Sequence, residues 1–214
     1  MDENAAGIRK EYTQQALVES AIETDPIRQF STWWHEALKA SIIEVNAMTL
    51  ATASADGMPS ARTVLMKGFS EKGFTFFTNY NSFKGQQLSE NPRASLLFFW
   101  KELERQVRIT GVVEKVSSEE SSAYFHSRPK PSQVGALISP QSQVIESRQW
   151  LDEKYKQAFE QFENTTVERP AHWGGYLVTP VIIEFWQGRP GRLHDRIQYT
   201  LSDDRAWKIE RLAP

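Results

Sequence analysis

The spacing of apolar and polar positions divides the chain into a helical opening, a long β-rich middle interrupted by helices, and a β-rich end. Residues 1–24 are polar and charged. They read as an arm, mobile or docked, with a short helical stretch over 8–17. Asp25-Pro26 marks a helix start, with Asp as cap and Pro at the first helical position. Ile27, Phe30, Trp33, Trp34, Ala37 and Leu38 then recur at helical spacing. Strands are expected over 47–53, 61–67 and 74–78, separated by the turn signals Asp56-Gly57 and Glu71-Lys72-Gly73. A helix over 82–90 is stopped by Asn91-Pro92, and strands over 94–100 and 106–116 follow. Ser117 with Glu120 forms a capping box that opens a helix reaching Ser127. Arg128-Pro129-Lys130-Pro131 ends it, and Ser132 is placed to cap a further turn. Residues 144–162 form an amphipathic helix with Ile145, Leu151, Tyr155, Phe159 and Phe162 near one stripe. After a break at Arg169-Pro170, strands over 176–187, 193–201 and 207–212 close the chain. Hairpin-like connections in succession favour an antiparallel arrangement. The pattern predicts about eight strands and four or five helices in one α+β domain, mainly antiparallel β, around a closed or split barrel.

Composition narrows the function classes. The 214 residues suffice for a real core, and 40% hydrophobic content fits a globular chain. Twenty-five Lys and Arg against 27 Asp and Glu argue against a general nucleic-acid or membrane-surface binder. The absence of cysteine excludes disulfides and thiolate chemistry and fits a reducing cytoplasm. No apolar run approaches the ~20 residues of a membrane span. Residues 1–7 are polar and acidic, unlike a secretory signal.

Candidate chemistry concentrates in anion-binding pieces. As a strand, the stretch after Gly191 would put Arg192, His194 and Arg196 on one face, roughly 6–7 Å apart, with Leu193, Asp195 and Ile197 on the other. Such a face is either solvated or covered by an anion. The odd spacing of Arg62 and Lys67 makes them unrelated surface charges, unless the strand ends or bulges between them. Ser82 and Lys84 open a helix that follows a strand, which suits capping or a phosphate. Tyr124 and Arg128 share a helix face, with Ser132 close behind, as a phosphate grip or as a helix end favoured by the dipole. Gln141-Ser142 lies in a polar loop, and Trp186 is either a flat wall for a ligand or a core residue. His35, His126, His172 and His194 lack metal-ligand spacing. Phosphate-binding glycine loops and a nucleophile elbow are also missing. That combination suits an enzyme whose cofactor does the chemistry.

Several segments, in order along the chain, resemble the pyridoxamine 5′-phosphate oxidase family. They are Arg62-Thr-Val-Leu-Met-Lys67, Phe77-Thr78-Asn79, Leu103-Glu-Arg-Gln-Val107, Tyr124-Phe-His-Ser-Arg128-Pro-Lys-Pro-Ser132, Gln141-Ser142, Trp173-Gly-Gly175, Ile183-Glu-Phe-Trp-Gln-Gly188, Arg192-Leu-His-Asp-Arg196 and Arg211-Leu-Ala-Pro214. The resemblance implies a split β-barrel FMN-binding fold with peripheral helices over 25–214, behind the arm of 1–24. It further implies a homodimer with FMN at the interface, in the cytoplasm. Pyridoxamine 5′-phosphate or pyridoxine 5′-phosphate would be the substrate and dioxygen the electron acceptor, with no metal, nucleic acid or membrane involved. Arg62, Lys67, Phe77, Thr78, Lys84, Gln106, Gln141, Ser142, Trp186 and Arg196 match FMN-contacting positions. Lys67, Tyr124, Arg128 and Ser132 match positions that bind the substrate phosphate. Arg192 and His194 match catalytic positions flanking the reacting carbon, and Arg9 and Tyr12 match residues that close over the substrate. Ser82-Phe83-Lys84 departs from the family's Ser-Arg-Lys or Ser-Lys-Lys, so one cation expected near the FMN phosphate is missing. Two alternatives are a split-barrel flavin reductase of another substrate, which should lack the Tyr124, Arg128 and Ser132 set, and a non-catalytic carrier of flavin or pyridoxal phosphate.

Overall fold

The computed structural model describes residues 11–214. Arg9 and the first part of the helix expected over 8–17 lie outside the described residues. Residues 11–17 are not helical, and only a 3-10 turn at Glu19–Ala21 follows. The reason is visible in the hydrogen bonding. The backbone N–H groups of Thr13 and Gln14 donate to the Glu104 carboxylate, and that of Leu17 to Asp195, so these donors are drawn away from helical carbonyls.

Five α-helices and nine strands occur among the described residues. In chain order they are α1 (Pro26–Lys39), β1 (Ala47–Ala53), β2 (Pro59–Leu65), β3 (Gly68–Ser70), β4 (Gly73–Asn79), α2 (Phe83–Glu90), β5 (Arg93–Trp100), β6 (Arg105–Lys115), α3 (Ser118–Ser127), α4 (Lys130–Ile138), α5 (Arg148–Gln161), β7 (Trp173–Gln187), β8 (Asp195–Leu201) and β9 (Trp207–Arg211). Hydrogen-bonded neighbours run β2-β1-β5-β6-β7-β4-β3, with β8 on β7 and β9 on β8. The class is α+β with a large antiparallel component, as expected. Among the described residues no helix is long and apolar enough to cross a membrane.

The chain divides into two compact units. The first takes residues up to 49 together with 95–110 and 180–214; the second takes 50–94 and 111–179. In the first unit, the Asp25 side chain accepts the Arg28 N–H and starts α1. The helical spacing then buries Phe30, Trp33 and Ala37. Phe30 packs 5.2 Å from Phe98, and Trp33 meets Phe185 edge-on at 5.2 Å. Leu38 ends up exposed. Strand β8 pairs antiparallel with β7, Trp186 opposite Arg196, and buries Ile197 and Tyr199.

In the second unit, β4 pairs antiparallel with β7, Phe76 opposite Tyr176. Helices α3, α4 and α5 enclose Phe125, Val134, Ala158 and Trp173. Three expected boundaries shift here. Helix α5 starts at Arg148, later than 144, because the Ser147 hydroxyl accepts the Trp150 N–H and caps it there. Helix α4 starts at Lys130, so Ser132 sits inside its first turn instead of capping it. Pro131 fits that turn because its missing N–H has no helical partner to lose. Strand β7 begins at Trp173, before two glycines that look like breakers. A Cβ on Gly174 would come within 2.1 Å of the Tyr80 hydroxyl, so these glycines serve close packing.

Candidate functional site

A cavity of about 970 Å³ opens in the second unit. Arg62, Lys67, Phe77, Thr78, Lys84, Tyr124, Arg128, Ser132, Gln141 and Ser142 all line it. Their convergence depends on a strand end. Strand β2 stops at Leu65, and the Lys67 N–H then bonds to the Thr75 carbonyl at 2.8 Å. The odd spacing of Arg62 and Lys67 is thereby overcome. Four cations line the cavity and no Asp or Glu does. Such a site favours an anion.

Lys84 lies in the first turn of α2 behind the Ser82 cap, and its side chain is buried. Its ammonium donates to Thr78 Oγ1 and Gln141 Oε1, both at 3.2 Å, and to Ser82 Oγ at 3.4 Å. These partners are neutral. Burial, reinforced by the charge of Arg62, lowers the Lys84 pKa. An unpaired buried cation is costly, and a bound anion would relieve that cost. Arg62 is anchored on one side only. Its Nη1 donates to the Leu50 carbonyl at 3.1 Å and Thr52 Oγ1 at 2.6 Å, and its Nη2 donates to Ser60 Oγ. A guanidinium has five N–H donors. The Nε–H and one Nη2–H, adjacent along one edge, therefore keep no acceptor among the described residues. That edge suits bidentate recognition of an oxyanion. Ser142 holds a φ of 70°, uncommon for a residue with a Cβ, on the loop that presents Gln141.

At the other end of the set, Arg128 Nη2 donates to the Ser132 carbonyl at 2.7 Å. Its Nη1 is buried without a partner. The guanidinium lies 4.6 Å from the centre of the Trp173 ring. Burial lowers the Arg128 pKa. Phe77 stacks on Tyr124 at 4.0 Å, and Trp173 lies 5.6 Å from Phe77 at an interplanar angle of 17°. The result is an aromatic wall beside a guanidinium whose buried donor is free for an incoming acceptor.

The remaining expected residues belong to the first unit. Strand β8 begins at Asp195, two residues later than expected, because Gly191 and Arg192 both adopt a φ of 62° in a tight turn. The alternation that put Arg192, His194 and Arg196 on one strand face therefore fails. Leu193, assigned to the opposite face, is 73% exposed, while Ile197 is buried. Arg192 is exposed in the turn. His194 instead joins an aromatic cluster, 4.6 Å from Trp186, with Tyr12 edge-on to Trp186 at 5.8 Å and 5.9 Å from His194. The Arg189 N–H donates to His194 Nδ1 at 3.0 Å. Burial, then the Arg192 charge, lowers the His194 pKa. Accepting that N–H requires an unprotonated Nδ1, and the lowered pKa favours this neutral form with the proton on Nε2. Arg196 donates to Glu184 Oε1 and to the Ala213 carbonyl, both at 2.8 Å. Glu184 is buried and also accepts from Arg108, so the Arg196 charge is already paired. Gln106 is half-buried in β6.

Thr52, Ser60, Gln87, Glu104, Glu184 and Trp173 support these groups without having been singled out individually as site residues. Their partners lie far along the chain, as with Thr52 and Gln87, so no local spacing marks them.

Comparisons with known proteins give a consistent picture. Residues 34–162 match the family described as pyridoxamine 5′-phosphate oxidase. Residues 173–214 match the pyridoxine 5′-phosphate oxidase C-terminal dimerisation region. The chain is 56% identical over 214 residues to a pyridoxine/pyridoxamine 5′-phosphate oxidase of Trichormus variabilis, covering 100% of both chains. It is 53% identical over 211 residues to the protein of that name from Salinibacter ruber, covering 98% of each. Among solved structures, PhzG from Burkholderia lata, in complex with tetrahydrophenazine-1-carboxylic acid, superposes with a TM-score of 0.88 at 28% identity, over 94% of this chain and 100% of that one. A pyridoxamine 5′-phosphate oxidase-related, FMN-binding protein from Nostoc punctiforme gives 0.70 at 21% identity, over 86% and 97%. The second likeness is one of fold, the split barrel.

Proposed function

Because the chain belongs to the pyridoxamine 5′-phosphate oxidase family, we propose that it oxidises pyridoxamine 5′-phosphate or pyridoxine 5′-phosphate to pyridoxal 5′-phosphate. In this reading it works as a cytoplasmic homodimer with FMN at the interface. The observation that carries the proposal is the cavity itself: four cations, no carboxylate, a buried Arg128 N–H without a partner, and an aromatic wall. A planar, phosphorylated ligand answers each of these features. The dimer reading draws on the match to the dimerisation region, and the cytoplasmic one on the lack of cysteine.

When bound, FMN would supply the hydride-accepting and dioxygen-reducing chemistry, with hydrogen peroxide as the product. The protein contributes orientation and electrostatics. Lys84 and the free edge of Arg62 hold the flavin phosphate, with Thr78, Gln141 and Ser142 around them. Lys67, Arg128, Tyr124 and Ser132 fix the substrate phosphate. Neutral His194 would offer its Nε2–H to the substrate's amine or alcohol, and Arg192 would sit over the pyridine ring. By the resemblance, Trp186, Arg196 and Gln106 would contribute further flavin contacts. By the same resemblance, Arg9 and Tyr12 would close over the substrate. For the amine, water completes the reaction and ammonia leaves.

Visible absorption of the purified protein, followed by addition of pyridoxamine 5′-phosphate or pyridoxine 5′-phosphate in air, tests the reading. Flavin bands and peroxide release are expected. A flavin-loaded protein that leaves both compounds untouched would leave only a carrier.

A further inference from the structure

We propose that Gln87 is a positioning residue for the flavin phosphate, acting through the hydroxyls of Thr52 and Ser60 on Arg62. This inference rests on the reading that Arg62 binds FMN. Gln87 lies in α2, three residues after Lys84, and is 2% exposed. Its Oε1 accepts from Thr52 Oγ1 and from Ser60 Oγ, each at 2.6 Å. Both hydroxyls in turn accept from the Arg62 guanidinium.

A hydroxyl has one proton. With both protons committed to Gln87, the lone pairs of Thr52 and Ser60 must face Arg62. The amide orientation is itself fixed, since Gln87 Nε2 donates to the Met58 carbonyl at 3.4 Å. A flipped amide would set its oxygen against that carbonyl and would leave the two hydroxyls only the long 3.4 Å contact between themselves as an outlet for a proton. Thr52 is 4% exposed, so water does not readily replace the lost acceptor. Without the Gln87 carbonyl, the hydroxyl protons would turn toward the cation they now support. The guanidinium would lose the anchors on one side that aim its free edge. The neutral amide also matters. A carboxylate at this position would hold Arg62 equally well but would cancel the positive charge an anion needs. One helix thus carries Lys84 and aims Arg62.

The test uses the full-length protein and flavin fluorescence titrations with FMN and with riboflavin, which lacks the phosphate. Gln87→Met fills the same space without an acceptor. It is expected to weaken FMN about tenfold while leaving riboflavin within about twofold. Ser60→Ala, a milder change at a half-buried site, should weaken FMN about threefold and spare riboflavin. It carries the test alone if Gln87→Met fails to fold. In a Thr52→Val, Ser60→Ala background, Gln87→Met should add no further loss, because the route is already cut. Unchanged FMN affinity, equal losses of both flavins, or additive losses in that background would each overturn the proposal. Native protein that binds neither flavin would instead overturn the functional reading on which it rests.

Discussion

Arg128 brings a positive charge to a wall of aromatic rings and keeps one buried N–H without an acceptor. A substrate phosphate would complete it. Arg128→Ala should therefore weaken binding of the phosphorylated substrate by about 2–4 kcal/mol, with FMN affinity nearly unchanged. Isothermal titration with each ligand checks this, and equal losses would make the residue a structural helix end. His194 offers a second measurement. Burial and Arg192 both disfavour its imidazolium. Arg192→Ala should move the His194 titration upward, as read by NMR of the ring protons. The sign follows because removing a like charge favours protonation. As pH falls below the lowered pKa, Nδ1 gains a proton and the Arg189 N–H loses its acceptor, so turnover should fall on the acid side. Phe83 is 52% exposed and lines the cavity, at the position where the resemblance implies a cation. Phe83→Arg is expected to tighten FMN about tenfold, less so at high salt. Weaker binding in that variant would mark the ring as packing against ligand or partner. At this scale the sequence shows the local pairs. Tyr124 and Arg128 are four apart, one in the last turn of α3 and the other its C-cap with extended backbone, and their nearness still reads from the spacing. The Thr52, Ser60 and Gln87 relay does not read, because sheet pairing and a later helix create it.

The N-terminal segment behaves as an element although it has no regular secondary structure. Glu104, 2% exposed and itself at a φ of 55°, accepts the N–H groups of Thr13 at 2.9 Å and Gln14 at 3.2 Å. Its own carbonyl accepts the Gly188 N–H at 2.8 Å. One residue therefore ties the segment to the end of β7. Tyr12 then rests directly on Gly188, where a Cβ would approach the Tyr12 ring to 2.7 Å. Glu104→Ala should raise amide exchange at Thr13 and Gln14 by about 10–100-fold, since charged acceptors on backbone donors are worth roughly 1.5–3 kcal/mol. Gly188→Ala should displace Tyr12 and raise KM for the substrate while flavin stays bound. Unaltered exchange in the first variant would show that other contacts hold the segment. Elements were legible where local chemistry sets them. The Asp25 cap and Pro26 place α1, and the turn at Asp56-Gly57 closes the hairpin after β1. The failures share one cause. The N-terminal segment is held by side chains about 90 residues away, and β8 is delayed by two residues at positive φ, neither of which leaves a periodic trace.

For the whole molecule, the consequence of the dimer reading is thermodynamic. Residues 173–214 match a dimerisation region and include Trp186, Arg192, His194 and Arg196. If FMN sits at the interface between two copies, it binds the dimer and not the monomer. Flavin binding and assembly must then be linked reciprocally. At a free FMN concentration of 100 times its dissociation constant, each site stabilises the dimer by about 2.7 kcal/mol. Two sites would lower the dimer dissociation constant by roughly 10⁴-fold. Sedimentation of the apo-protein over a dilution series, with and without FMN, measures this directly. Dilution should release flavin and subunits together, and added FMN should shift the midpoint to far lower protein concentration. The phosphate relay predicts a further detail. Riboflavin, lacking the group that Lys84 and Arg62 hold, needs a higher concentration to give the same shift. A monomer that retains FMN as tightly as the dimer would place the flavin within one copy, and the interface assignment would fail while the oxidase reading stood.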